Sequence, residues 1–138
     1  MNEKLQQKQI ELQMLSSQIK QLQKQLQKGV SQSAELQKIK DNFDELKKVE
    51  NDTEIMASIA PGIFVKANIK EPQQIMLGVG NGVVVEKNVD EAKILLDKQI
   101  NELSDMLEDI KKEIQESIIN ARKLQQDVQA LSIKNQDI

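Results

Sequence analysis

The chain has 138 residues, of which 30% are charged and 1% aromatic, and its formal net charge is −3 at pH 7. It contains no cysteine and no histidine, which excludes disulfides, thiol catalysis and the commonest transition-metal ligands. It has no apolar run of the roughly 18 residues that a membrane span needs and no signal-peptide core, so we expect a cytoplasmic protein. With Phe43 and Phe64 as its only aromatic residues, long helices that bury a narrow stripe suit the composition better than a globular core.

The first segment, residues 1–50, has the periodicity of a coiled-coil helix. Steps of three and four residues place a heptad seam at Leu12, Leu15, Ile19, Leu22 and Leu26. Continuing this phase would bring Gly29 and Ser33 into the seam, whereas the apolar residues resume in a different phase at Leu36, Ile39, Phe43 and Leu46. We therefore expect the seam to change phase between Gly29 and Ser33, through either a local bend or a flexible joint.

The second segment, residues 51–88, predicts two β-hairpins. Apolar and polar residues alternate after Pro61-Gly62 and again before Asn81-Gly82, and the second pair is a strong hairpin signal. Gly78 and Gly80 are expected at bulges or at positions of close packing. Hairpins of this size are marginal alone, so their edges and apolar face are expected to pack against another chain. The predicted oligomerisation residues are Ile63, Val65, Ile69, Ile75, Leu77, Val79, Val83 and Val85.

The third segment, residues 89–138, predicts a second long helix. Asn88 and Glu91 have the spacing of a capping box at its start. Its heptad seam has one polar member, Ser117, and comprises Leu96, Ile100, Leu103, Leu107, Ile110, Ile114, Ser117, Ala121, Leu124, Val128 and Leu131. Two helices of similar length joined by hairpins predict an antiparallel coiled coil within one chain, with the two chain ends together.

Those chain ends carry the candidate binding surface. Ile10, Met14 and Ile133 fall off the seam and should be exposed, and exposed apolar groups suit loose binding of other apolar chains. The alternative is ordinary fraying of helix ends that carry a few stray apolar residues. The candidate residues at this tip are Met1, Leu5, Ile10, Leu12, Met14, Val128, Leu131 and Ile133.

No residue pattern indicates catalysis, a cofactor or a metal. The carboxylates lie on predicted solvent-facing helix positions, and the glycines at 78–82 lie inside a hairpin pattern instead of preceding a helix, as a phosphate-binding loop requires. Residues 1–40 carry seven lysines and three acidic residues without stacking aromatics, which argues against a nucleic-acid partner. We therefore expect a protein that is not an enzyme.

The order helix, two hairpins, helix resembles the alpha class of prefoldin, whereas the beta class has a single hairpin. The segments that carry the resemblance are Ile59–Ala67 and Gly78–Ala92. Within the second segment, the Gly-x-Gly turn, the Val-Glu-Lys ending and the Asp-Glu-Ala helix entry are its specific part.

The resemblance implies a mainly α member of the α+β class, a long antiparallel coiled-coil hairpin whose two β-hairpins join an oligomeric β-barrel body. It implies a heterohexamer of two alpha and four beta subunits that works as a holdase without ATP or any other cofactor. Non-native polypeptides would bind at the coiled-coil tips, residues 1–14 and 128–138, and pass to a group II chaperonin. Two alternatives stay open: a structural protein that self-assembles into rings or filaments, and a coiled-coil tether for one specific partner.

Overall fold

A computed structural model describes residues 2–136, so Met1, Asp137 and Ile138 lie outside it. Two long helices flank four strands, which gives the mainly α, α+β class that the sequence predicts. The elements are α1 (Asn2–Leu46), β1 (Thr53–Ala60), β2 (Ile63–Ile69), β3 (Gln74–Gly80), β4 (Val83–Asn88) and α2 (Val89–Gln136). Among the described residues, neither helix is long and apolar enough to cross a membrane.

The chain divides into two compact units. The coil unit comprises residues 2–33 and 102–136 of the described range, which are the first part of α1 and the last part of α2. The hairpin unit comprises Ala34–Asn101, which holds the four strands, the end of α1 and the start of α2.

In the coil unit the two helices run antiparallel and bury a regular seam. Leu22, Leu107 and Ile114 are buried, and so is Ser117, the one polar member of the α2 seam. The other seam residues of α2 in this unit are half-buried, because two helices alone leave the flanks of their shared seam open to solvent. The predicted seam of α2 is therefore confirmed, because each of its positions is shielded from solvent.

The seam of α1 keeps its phase through Gly29, so the predicted change of phase is wrong. The helix has no break at residues 29–33, Gly29 is buried and Ser33 is half-buried. In the hairpin unit the same alternation of steps continues through Leu36, Lys40 and Phe43, all half-buried, whereas Ile39 is exposed. Gly29, Ser33 and Lys40 are small or polar residues at seam positions. Because the prediction followed apolar residues alone, the seam appeared to change phase.

Gly29 fits the seam because of its partner across the coil. A Cβ placed on Gly29 would overlap Cδ2 of Leu107, so the glycine provides the space that this buried leucine fills. A glycine inside a helix costs about 1 kcal/mol relative to alanine. The buried Leu107 side chain offsets part of that cost, which explains how Gly29 can stand in the middle of α1.

The hairpin unit contains two separate antiparallel sheets of two strands each, β1–β2 and β3–β4. The turn between β3 and β4 has positive φ at both Asn81 and Gly82, as the Asn-Gly signal predicts for a type I′ turn. The register of this hairpin shifts between Gly78 and Gly80, and Gly80 has a φ of 104°. Gly80 therefore lies at a bulge, as expected, whereas Gly78 pairs regularly with Val84.

A small buried cluster ties the hairpins to both helices. Pro72, in the loop between β2 and β3, and Val89, the first residue of α2, are almost fully buried. The Val89 amide donates a 2.8 Å hydrogen bond to the Gln73 carbonyl, and the Gln73 side chain donates to the Lys47 carbonyl at 3.3 Å. These bonds hold the loop against the end of α1 and the start of α2.

The helix ends follow local capping chemistry. The Glu91 amide donates a 2.7 Å hydrogen bond to the Asn88 side-chain oxygen, so Asn88 caps α2 as its spacing predicts. Asp90 and Glu91 lie in the first turn of α2, where negative charge stabilises the helix. Helix α1 ends at Leu46, before the expected residue 50, because the chain tightens there: the Val49 amide bonds to the Leu46 carbonyl at 3.1 Å.

Candidate protein-binding surfaces

A wide groove of about 890 Å³ opens in the coil unit beside Ile10 and Met14. These two side chains are 57% and 68% exposed, and seam residues Leu15 and Leu124 form part of the groove wall. Its other walls carry mainly uncharged polar side chains, with Glu11 as the one charged residue in its lining. An open, largely apolar surface of this kind can contact many apolar segments without selecting one shape.

The other predicted tip residues divide into two groups. Leu5, Leu12, Val128 and Leu131 are half-buried in the seam, so their main contacts hold the two helices together. Ile133 is exposed but does not line the wide groove, and Met1 lies outside the described residues. The structure therefore brings together Ile10 and Met14 from the predicted set and assigns the seam members a supporting position.

A salt bridge lies next to this surface, at a seam position. Lys8 of α1 contacts Asp127 of α2 at 3.0 Å, and both side chains are partly exposed. Partly exposed pairs of this kind contribute about 0–1 kcal/mol to stability. The pair with Asp127 thus lets the lysine occupy a seam position and modestly favours this pairing of the two helices.

The second surface lies on the hairpins. Of the predicted oligomerisation residues, Ile63, Val65 and Val83 are exposed, whereas Ile69, Ile75, Leu77 and Val85 are half-buried. Val79 belongs to β3, but its side chain lies outside the described ones. The two hairpins therefore keep apolar side chains in contact with water in this single chain.

Exposed apolar residues also lie on the opposite faces of the strands, where the sequence patterns led to no predicted oligomerisation residue. Met56 and Phe64 of the first hairpin, and Met76 and Val84 of the second, are all exposed. Their signal was present, since all four occupy positions that the alternation assigns to the polar face. Each hairpin consequently exposes apolar groups on both faces, whereas the solvated face of an antiparallel sheet normally carries polar residues.

The electrostatics of the hairpin unit are dominated by a ladder of three ion pairs between the helices. Lys40 pairs with Asp97 at 2.7 Å, and the two further pairs are Asp44 with Lys93 and Lys47 with Asp90. The hydrogen bond from Lys93 lowers the pKa of the Asp44 carboxyl, although burial opposes the change. The same bond raises the pKa of Lys93. The alternating charges along each helix favour this antiparallel register over a shifted one.

The sequence of the chain matches a known protein family over most of its length. The family model described as Prefoldin subunit matches residues 15–134, which is most of the chain. This chain belongs to the prefoldin family. Prefoldins are chaperones, and the family is non-enzymatic.

Curated relatives of this prefoldin chain carry the name prefoldin subunit alpha. The protein from Methanococcus aeolicus is 30% identical over 129 residues, which cover 94% of this chain and 88% of that protein. The protein from Pyrococcus horikoshii is 29% identical over 141 residues, covering 96% of this chain and 95% of the relative. The predicted resemblance to the alpha class is thus confirmed over nearly the whole length.

A solved structure gives the same prefoldin fold. A chain of filamentous prefoldin from Methanocaldococcus jannaschii, determined by cryo-electron microscopy, matches with a TM-score of 0.71. The match covers 82% of this chain and 93% of that chain, at 16% sequence identity. The long helices and paired hairpins are therefore a shared architecture, reached with few identical residues.

Proposed function

We propose that this chain is the alpha subunit of a cytoplasmic prefoldin holdase, which binds non-native polypeptides without ATP and delivers them to a group II chaperonin. Prefoldin alpha subunits form oligomeric complexes with beta subunits, and the proposed complex contains two alpha and four beta subunits. The observation that carries the proposal is the open apolar groove at Ile10 and Met14 in the coil unit of a prefoldin chain.

The groove suits clients that share only exposed apolar residues. It has few charged groups and no narrow pocket that would select one side chain, so each contact is weak and unspecific. Methionine adapts its shape to different apolar partners because its side chain is unbranched and flexible. Several such arms in one complex raise the effective affinity for a client without any single tight site.

The hairpins are proposed as the assembly surface of this complex. Each sheet has only two strands, so every strand keeps a free edge, and exposed edges with apolar side chains pair readily with other chains. Burying the exposed apolar residues of the hairpins in a β-barrel body would remove both features from solvent. Ile63, Val65, Ile69, Ile75, Leu77, Val79, Val83 and Val85 are the proposed contributors.

Suppression of aggregation tests the holdase proposal. A chemically unfolded test protein is diluted into buffer without ATP, with this chain alone, with a beta-type prefoldin subunit alone, and with both. We expect strong suppression only when both subunits are present. Transfer of the held protein to a purified group II chaperonin, followed by recovery of its activity, tests the delivery step. No suppression in any mixture would refute the proposal.

A second candidate function is self-assembly as a structural filament. The observation that favours it is the filamentous state of the solved relative with the same fold. Electron microscopy of this chain without a beta subunit separates the two functions. Ordered filaments or rings, together with equal suppression of aggregation with and without the beta subunit, would favour the second candidate.

A further inference from the structure

Three glutamines form a row along one flank of α1. Gln18, Gln25 and Gln32 each come directly before a seam residue, at intervals of one heptad, and we call this row the glutamine flank. Positions beside a coiled-coil seam commonly carry glutamate or lysine, which form ion pairs between the helices. A neutral amide forms no ion pair, so the pairing of α1 with α2 does not account for this row.

The amides of the glutamine flank are exposed and have no partner within the described part of the chain. All three side chains are exposed, and none of the side-chain hydrogen bonds among the described residues involves them. Each carboxamide has an acceptor oxygen and a donor NH₂ group. An extended polypeptide offers the complementary N–H and C=O groups along its main chain whatever its sequence.

Apolar grooves lie at both ends of this flank. The wall of the Ile10–Met14 groove includes Gln18 of α1 and Asn120 of α2. A second groove, of about 280 Å³, is lined by Gln25 and Gln32 and by four apolar residues of α2: Leu103, Met106, Leu107 and Ile110. Asn120 and Met106 both come directly before a seam residue of α2, so the two grooves open on the same side of the coil.

The second groove has the same character as the first. Met106 is 56% exposed at its edge, and Lys28 is the one charged residue in its lining. Glu11 is the one charged residue in the lining of the first groove. Both grooves therefore present apolar surface with little selection by charge.

The dimensions of this side of the coil fit an extended chain. From Ile10 to Gln32 the helix rises about 33 Å, a length that about ten residues of an extended chain cover. Alternate side chains of such a chain point to the same side and can enter the grooves while its main chain passes the glutamines. A helix of ten residues is only about 15 Å long and already uses its own backbone hydrogen-bonding groups.

We infer that the glutamine flank binds a client segment of about ten residues in an extended conformation, with its main chain hydrogen-bonded to the amides of Gln18 and Gln25 and its apolar side chains in both grooves. The inference rests on the proposed holdase function and extends the client site from Ile10 and Met14 to Met106. The occupant is the client because Gln18 belongs to the proposed client groove itself. Hydrogen bonds to a main chain require no particular sequence, as binding of many different clients demands.

The first test removes the two amides. Gln18→Ala with Gln25→Ala is introduced into the full-length chain, and the chain is assembled with beta subunits. Alanine is the best helix former, so the folded arm should be at least as stable as in wild type. The matched control is Gln9→Ala with Gln23→Ala, which removes two exposed glutamines that directly follow seam positions, on the opposite flank, and line neither groove.

The probe is a photo-crosslinkable peptide of about ten residues in which leucine alternates with serine. Mass spectrometry resolves its capture by this chain from its capture by the beta subunits, and the dependence on peptide concentration gives the affinity of this chain. We expect the Gln18, Gln25 variant to bind about fivefold more weakly than wild type, and the control to bind normally. Wild-type affinity in the Gln18, Gln25 variant would overturn the inference.

Two altered peptides test the conformation of the bound segment. A peptide of the same composition with leucines at helical spacing should bind more weakly than the alternating one, and tighter binding would overturn the extended conformation. Replacing alternate main-chain amides of the peptide by esters removes N–H donors. This change should weaken binding to wild type more than to the Gln18, Gln25 variant, and an equal loss in both would refute main-chain recognition by these glutamines.

Met106→Gln tests the far end of the site. We expect this change to weaken capture of the alternating peptide about threefold, because apolar contact in the second groove is lost. Ile119→Gln alters an exposed residue of the same helix that lines neither groove and should leave capture unchanged. Unchanged capture by Met106→Gln would show that the client site ends at the first groove.

The outcomes separate this inference from the proposed function. If the Gln18, Gln25 variant captures the peptide and suppresses aggregation as wild type does, the glutamine flank is not a client site, while the holdase function stands. If the wild-type complex suppresses no aggregation, the proposed function fails, and the inference fails with it.

Discussion

Gly29 occupies a seam position of α1 that would ordinarily carry a larger apolar residue. The absent side chain leaves room for Leu107 of α2, which is buried against it. Helix propensity favours alanine over glycine by about 1 kcal/mol, whereas overpacking a seam costs about 1–3 kcal/mol. Leu107 therefore decides the sign of a Gly29→Ala substitution.

A double-mutant cycle measures this dependence. We expect Gly29→Ala to leave stability unchanged or lower in the wild-type background, because the new methyl group overlaps Leu107. In the Leu107→Ala background the same substitution should stabilise the chain by about 1 kcal/mol, since only the propensity gain remains. Urea unfolding followed by circular dichroism, at one protein concentration, gives the four free energies. Additive effects would contradict the packing of Leu107 against Gly29.

Among the helical elements, the Asp44–Lys93 pair makes the stability of the hairpin unit depend on pH. The pKa of Asp44 is lower in the folded chain than its ordinary value of 3.8, because Lys93 donates a hydrogen bond to the carboxylate. Its contribution to stability is therefore fully present above pH 3.8 and is lost as the pH falls through the lower folded pKa. Lys93 has a raised pKa, so its contribution is lost only above its ordinary value of 10.5.

Substitution of Asp44 by asparagine checks this pH dependence. We expect Asp44→Asn to lower thermal stability at neutral pH and to flatten its fall below pH 3.8, since the titrating carboxylate is gone. The control is Asp41→Asn, which removes a carboxylate of the same helix outside the ladder and should leave the melting temperatures close to those of wild type. Melting temperatures from pH 7 down to acid report both effects. Parallel curves for wild type and Asp44→Asn would refute the role of this carboxylate.

Some features of the helices and strands could be predicted from sequence patterns, and others could not. The seam of α2, the Asn81-Gly82 turn and the Asn88 cap follow from local chemistry, and the structure contains all three. The seam of α1 was misassigned because a lysine and a glycine hold seam positions, at Lys40 and Gly29, whose tolerance depends on partners in α2. The spacing of apolar residues along one helix contains no information about which residues of the other helix contact them.

The two candidate surfaces could likewise be predicted from the sequence only in part. Residues off the seam, such as Ile10 and Met14, could be identified because the seam itself was clear. Their common groove could not be, since its walls include Asn120 and Leu124 from the other helix. On the hairpins, strand alternation separated two faces and placed apolar residues such as Phe64 and Val84 on the polar one, but their exposure became clear only from the structure.

In the whole molecule, the proposed client-binding surface and the proposed assembly surface belong to different units. The coil unit holds the Ile10–Met14 groove, and the hairpin unit holds the free strand edges. Client binding and assembly should therefore be separable by mutation. Removal of residues 1–14 and 128–138 should leave assembly with beta subunits intact and weaken the holding of unfolded clients, because the hairpin unit keeps its strands.

Point substitutions sharpen this test, because deletion also removes seam residues such as Leu5 and Leu131. The double change Ile10→Gln with Met14→Gln replaces two exposed apolar side chains and leaves the seam unaltered. Losing about 1–2 kcal/mol of apolar contact per arm should raise the concentration needed for half-maximal suppression of aggregation several-fold. Native mass spectrometry should show an unchanged complex, and Ile119→Gln, which alters an exposed isoleucine outside the groove, should suppress aggregation normally. Loss of the complex in the double variant, or normal suppression by it, would show that the groove does not carry client binding separately from assembly.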